Sequence, residues 1–239
     1  MRRILHFTMC ALFLLPAAMA PAFAGEVIDS VVVTVNNKPI FRSDWDEAVC
    51  YELFMQRKSV AQVTDADRVT ALQRLIDRQL LKAQMGNSQA LQPSVEDLQN
   101  DVAKLRAQLP EGKDDQSWQK MLASYGLSDE LLKTHLRTEV LVMNFVEVRL
   151  RPNVHIEPAE IETYYKNQLL PDLEKAGGGK WVSFHEVEPR IRELLTQQHM
   201  DELLDAWLHN LRQQADIQSS VPIPALHAPS NQPRASGAP

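Results

Sequence analysis

Val31-Val32-Val33-Thr34-Val35-Asn36-Asn37-Lys38-Pro39-Ile40-Phe41 is the stretch on which the fold turns. A β-branched run, two asparagines that tolerate positive φ, and a second short apolar run spell a small β-hairpin. Pro39 has no N–H to give to a ladder, so the second strand is expected at an edge and the sheet to be small. Beyond Phe41 the pattern turns helical. Ser43, with Asp44, Asp46 and Glu47 in the first turn, opens a helix reaching about Lys58, because acids favour the exposed amides at a helix start. Thr64 with Asp67 opens a second, whose Val69, Leu72, Ile76, Leu80 and Ala83 share one face and which Gly86 stops.

Ser94 with Asp97 opens a third helix, with Val95, Leu98, Val102, Leu105 and Leu109 spaced as an a/d seam. Two heptads are too few for a free coiled coil, so this helix is expected to pack within the domain. After a loop at 110–113 come a short helix, 117–125, closed by Gly126, and a long one capped by Ser128 and running to about Leu150. Within it, residues 140–146 are apolar nearly all round apart from Asn144, which predicts burial on several sides and the centre of the domain. Pro158 suits the first turn of a helix through Ile161, Tyr164, Tyr165 and Leu169, which Pro171 is expected to end. Three glycines at 177–179 precede a final helix, 186–215, with Val187, Ile191, Leu194, Leu204, Trp207, Leu208, Leu211 and Ala215 as its apolar positions. From Ser219 on, five prolines and the single formal charge of Arg234 read as a disordered tail.

Upstream of the hairpin, Arg2 and Arg3 precede an apolar stretch ending in Ala22-Phe23-Ala24. That is the pattern of a signal peptide cleaved between Ala24 and Gly25, and the apolar run is short and interrupted for a retained membrane anchor. The mature chain is therefore expected to be exported, with no stable membrane insertion. Of 25 basic and 31 acidic residues, cleavage removes two basic ones and leaves 23 against 31, a charge of −8. This acidic balance argues against the basic footprint of a nucleic-acid binder. Cys50 is the only mature cysteine, so no intramolecular disulfide forms and stability has to come from a core.

The order of these parts resembles the N-terminal domain of the SurA periplasmic chaperones. The carrying residues are Val35 to Ile40 followed by Ser43-Asp44, Leu75-Ile76-Asp77-Arg78-Gln79-Leu80-Leu81, Tyr125-Gly126-Leu127-Ser128, and Pro158-Ala159-Glu160-Ile161-Glu162-Thr163-Tyr164-Tyr165. The resemblance implies a mainly α fold: a helical bundle with a small N-terminal hairpin and a long C-terminal helix packing on the same core. It also implies a division into a signal peptide (1–24), a chaperone domain (25–218) and a Pro-rich tail (219–239). Such relatives usually insert parvulin-type prolyl isomerase domains before the final helix. Here only 17 residues separate Leu169 from Val187, and a domain needs at least ~50, so the insertion is expected to be absent near 170–186.

The chemistry-bearing residues have bland readings beside sharp ones. Gly177-Gly178-Gly179-Lys180 puts Trp181 where a phosphate loop needs a hydroxyl. The histidines, His135 among them, are scattered and read as surface or boundary residues. Cys50 reads as a small core residue, and the acid pairs Glu160/Glu162 and Glu186/Glu188 point to different sides of their helices. No catalytic residue, metal or cofactor is expected. Large apolar side chains remain: Trp45, Tyr51, Phe54 and Met55 on one helix, Trp118, Met121 and Tyr125 on another, and Trp181 in a linker. Trp45, Tyr51, Phe54, Met55, Trp118 and Tyr125 are the candidate client-binding residues, although about two-thirds of these large side chains are expected in the core. The expected activity is an ATP-independent periplasmic chaperone binding unfolded outer-membrane or exported polypeptides. A prolyl isomerase by family membership and a non-catalytic envelope scaffold are the alternatives, and a homodimer by exchange of the final helix is left open.

Overall fold

A computed structural model describes residues 29–86, 89–175, 177 and 183–221. The signal cleavage site at Ala24 and Gly25, Trp181, most of the glycine linker and residues 222–239 of the tail lie outside the described residues. Strands β1 (Val31–Val35) and β2 (Lys38–Phe41) form the expected hairpin. Asn36 and Asn37 take φ of 47° and 65°, the pair of left-handed residues that lets a two-residue turn match the strand twist. Pro39 sits on β2, at the edge of a sheet ordered β2-β1-β3.

The third strand was not foreseen. β3 (Ile217–Ser219) pairs antiparallel with β1, Val35 opposite Ile217 and Val33 opposite Ser219. Residues 219–221, read from sequence as the start of the tail, belong to this junction, since the Ser220 N–H and hydroxyl both donate to the Val32 carbonyl. Their polar side chains hid the strand, because a three-residue edge strand needs only its backbone to pair.

Helices α1 (Arg42–Met55), α2 (Asp65–Met85), α3 (Val95–Ala107), α4 (Asp115–Ser124) and α5 (Asp129–Leu150) come next along the chain. Caps fix most of their starts. Thr64 and Asp67 form a reciprocal capping box, Ser94 accepts from the Asp97 N–H, and Ser128 accepts from the Leu131 N–H. Three boundaries differ from expectation. α1 ends at Met55, where Arg57 at φ 56° turns the chain back; α4 begins at Asp115 because Asp114, not Ser117, is its cap. Pro171 does not end its helix: α6 (Pro158–Tyr164) passes through a π turn, Tyr165–Leu169, into α7 (Leu170–Lys175). The Leu170 N–H there donates five residues back, to Tyr165, so Pro171 falls in the first turn of α7, where its missing N–H is not required.

The core is a chain of clusters. β1 and β2 pack on Trp45, Ala48, Val49 and Leu53 of α1 and on Leu72, Ile76 and Leu80 of α2. Each fully buried aliphatic side chain there contributes ~1.5–3 kcal/mol relative to exposure. The opposite side of α1 offers Tyr51 and Phe54 to α3, α4 and the start of α5. α8 (Phe184–Gln214) then joins two halves. Its first turns close on Ile161 of α6 through Ile191 and Leu195, and its middle closes on Leu81 and Leu150 through Leu204 and Leu208. The apolar side of α8 includes Leu195 and Met200, both buried, whereas Leu194 is exposed. At its far end the Arg212 guanidinium grips both Asp77 carboxylate oxygens of α2, its Nε 2.7 Å from Oδ1. The expected mainly α fold, with a small sheet at the N-terminus, is the one observed.

Candidate functional site

Four of the six side chains singled out as client contacts are interior. Trp45 is buried and its indole N–H donates to the Arg68 carbonyl at 2.7 Å. Tyr51, Phe54 and Trp118 are buried together, with Phe54 edge-on to Trp118 and to the half-buried Tyr125, ring centroids 6.2 and 5.5 Å away. Trp118 has no exposed surface at all; its indole N–H donates to Asp129 at 2.7 Å and the Arg106 guanidinium lies over its ring. These aromatics hold α1, α3, α4 and α5 to one another, which leaves them no surface for a partner. Only Met55 of the six is exposed. The correction has a simple cause. Large aromatics have the most to gain from burial, and each indole found an internal acceptor.

The buried polar chemistry is structural. The Tyr51 hydroxyl donates to Glu139 at 2.6 Å, and burial first, then the Glu139 charge, push its phenol pKa well up. His135, expected at the surface, is instead buried and stacked on Tyr51 at 4.5 Å between centroids. Its Nε2 lies 2.8 Å from Glu47 but at an angle that makes no hydrogen bond. Burial holds the imidazole pKa below its ordinary 6.5 against the opposing pull of Glu47. Cys50 is half-buried, and burial followed by the Asp46 charge raises its thiol pKa. That is the reverse of the shift that activates a cysteine nucleophile.

The surface that stands out lies where the sequence predicts the centre of the domain. None of residues 140–146 is buried: Val140, Leu141, Val142, Asn144, Phe145 and Val146 are half-buried, and Met143 is 63% exposed. Val148, one turn on, is 64% exposed. Among the described residues, this stretch of α5 meets neighbours on two sides. On one, Val142 and Val146 meet the Leu81, Leu204 and Leu208 cluster, and Phe145 lies 5.8 Å from Trp207. On the other, the Asn144 amide donates to the Leu91 carbonyl at 3.1 Å. At 100° per residue, Met143 and Val148 emerge about 140° apart round the helix, in the two gaps left between those neighbours. Arg151, bonded to Glu193 at 2.6 Å, brings the end of α5 against α8, on which Leu194 and Leu203 are exposed on opposite sides of the helix. The sequence signal was the all-round apolar character of residues 140–146, since a helix apolar on every side needs either full enclosure or a partner.

A helical body that leaves apolar side chains of α5 uncovered belongs to the class of modules with surface suited to binding apolar segments. The family model for the SurA-like N-terminal domain matches residues 2–146, more than half of the chain, and the chain belongs to that family. The matched region ends within α5, so α6, α7, α8 and β3 lie beyond it. The family is associated with binding polypeptide substrates, which supports a chaperone-type role. No curated protein matches this chain.

Proposed function

We propose that this protein is an ATP-independent chaperone of the periplasm that holds unfolded outer-membrane polypeptides in a soluble, foldable state. The observation that carries the reading is the apolar surface left uncovered on two sides of α5, at Met143 and at Val148, with Leu194 and Leu203 of α8 exposed as well. Apolar client segments would lie against half-buried side chains, each offering part of its area at ~25 cal/mol per Å². Binding of that kind is weak per contact and reversible, as release to a membrane-assembly apparatus requires. The leader ending at Ala24 supports export, and the short connection between α7 and α8 supports holding rather than prolyl isomerisation.

The test is dilution of a urea-unfolded outer-membrane β-barrel protein into the mature chain, residues 25–239, without nucleotide. Suppression of light scattering near stoichiometric ratios is expected, and Met143→Ser with Val148→Ser should weaken it while leaving the unfolding midpoint in place. No suppression at large excess would overturn the reading.

A further inference from the structure

Where α5 and α8 close on each other, the outer side of the contact is an uncharged apolar trough. Val142 and Val146 of α5 meet Leu204 and Leu208 of α8 inside, and the Phe145 and Trp207 rings, 5.8 Å apart, edge the contact. Arg212 marks the inner side of α8, where it grips Asp77 of α2. Leu203 precedes Arg212 by nine residues, which at about 100° per residue sets it on the opposite side of the helix, about 40° beyond Trp207. On α5, Leu141 and Val148 lie about 40° and 60° beyond Phe145, turning away from Val142. Val148 and Leu203 are exposed, and Leu141, Phe145 and Trp207 are half-buried. Further round α8 stand Asn210 and Ala206, and beside Val148 on α5 stands Asn144, none of them charged. Met143 is on the other flank of α5 and has no part in this trough.

The size of the trough argues against a second copy as its occupant, since a stable interface draws on ~20–30 residues and ~800 Å² from each partner. A segment of the same chain starts close by. Val221 and Leu211 pack against one buried cluster, and Leu211 is one turn, about 6 Å of rise, beyond Trp207. The chain continues from there as Pro222-Ile223-Pro224-Ala225-Leu226-His227-Ala228-Pro229, which holds no Asp, Glu, Lys or Arg in a protein of 31 acidic and 25 basic residues. Proline-rich segments are taken as polyproline II by apolar grooves lined with aromatic rings, because that helix is already extended and has little entropy to lose. With three residues per turn it would put Ile223, Leu226 and Pro229 on one edge, at intervals of ~9 Å. These eight residues would span ~25 Å, against the ~12 Å of α8 from Leu211 back to Leu203.

We infer that residues 223–229 dock in this trough, running back along α8 with Ile223 against Trp207 and Leu226 against Leu203 and Val148. The docked segment covers one of the two uncovered flanks of α5 and yields it when a client competes. So short a tether gives an effective concentration in the mM range, so a contact with a dissociation constant of about 1 mM keeps the trough filled about half the time or more. The docking stands on the trough and the segment alone; only its competition with clients rests on the polypeptide-holding reading.

The experiment uses the full mature chain, residues 25–239, with p-benzoylphenylalanine at position 226. Irradiation at low micromolar concentration, followed by peptide mapping, should give crosslinks within one chain to the segments that carry Val148, Leu203 or Trp207. Val148→Ser with Leu203→Ser should diminish them, and Met143→Ser should leave them unchanged. In a second measurement, Ile223→Ser with Leu226→Ser should tighten binding of a labelled, amidated leucine- and valine-rich peptide about two- to ten-fold, the gain from removing a tethered competitor. The urea midpoint should stay in place, which separates this effect from a loss of structure. Crosslinks to other parts of the chain, crosslinks chiefly between two chains, or crosslinks indifferent to Val148→Ser with Leu203→Ser would overturn the inference, as would unchanged peptide affinity in the Ile223→Ser, Leu226→Ser variant. If the trough crosslinks form but the protein does not suppress aggregation, the docking stands and the chaperone reading falls; if it suppresses aggregation without them, the reverse holds.

Discussion

Replacing Trp118 by alanine separates a residue that builds the protein from one that touches a client. The ring is wholly enclosed, and a buried Trp→Ala change costs about 3–5 kcal/mol in lost transfer energy and cavity. The indole N–H bond to Asp129 adds about 1 kcal/mol, kept modest because Asp129 still accepts from the Gln119 amide. Loss of the Arg106 guanidinium over the ring face adds ~0.5 kcal/mol. A total of about 5 kcal/mol is comparable to the whole stability of many domains. With a urea m-value of about 2 kcal/mol/M, the midpoint should fall by about 2 M or more, or the variant should not fold. Trp118→Phe keeps an aromatic ring in edge contact with Phe54 and loses chiefly the N–H bond, so a fall of about 0.5–1 M is expected. Urea titration followed by circular dichroism, with aggregation suppression measured on the same samples, is the assay. An alanine variant that unfolds at the wild-type midpoint but no longer suppresses aggregation would refute the packing argument and return Trp118 to the surface.

Arg212→Met should lower stability by roughly 1–3 kcal/mol, between the values for exposed and buried ion pairs, and Asp77→Asn should cost less when Arg212 is already gone; a double-mutant cycle without coupling would show that the contact between α8 and α2 is carried by packing alone. His135 has a folded-state pKa depressed below its ordinary 6.5, so the unfolded chain binds more protons below that pH and stability should fall as pH drops through 6.5, levelling off beneath the folded value. His135→Gln should flatten that slope in urea titrations at a series of pH values. Asp67, held at about 2 by Lys58 and Thr64 against an ordinary 3.8, stabilises above 3.8, and that contribution should disappear as pH falls through about 2. Gly86→Ala should destabilise by about 1 kcal/mol or more, because Gly86 ends α2 at φ 58° and ψ −143°, a region closed to residues with a Cβ.

What the sequence disclosed divides along a physical line. Caps and turns are local chemistry, so Thr64 with Asp67, Ser94, Ser128, Asn36-Asn37 and Gly86 all do what their side chains and backbones predict. Periodicity disclosed that α2 has an apolar face but not how much of it would be covered, and Ala83 and Val95 stay exposed. The fate of residues 140–146 depended on how many helices surround α5, a long-range count that composition does not contain. β3 was invisible for a related reason. Its pairing uses backbone from positions some 180 residues away, and its side chains carry no strand signature. The largest side chains misled most, because Trp45 and Trp118 look like binding surface until an internal carbonyl or carboxylate is found for each indole.

The pairing of β1 with β3 also sets an order of events. β1 is among the first described residues and β3 among the last, so the middle strand of the sheet waits for nearly the whole chain before its second edge is filled. Closing so long a loop is entropically slow, although the cost grows only with the logarithm of its length. Until then β1 presents one unpaired row of N–H and C=O groups, the template on which another chain can add itself. A protein stopped before Ile217 would therefore be left with an adhesive edge, and the short closing strand completes the protection of this polypeptide from association with its own copies.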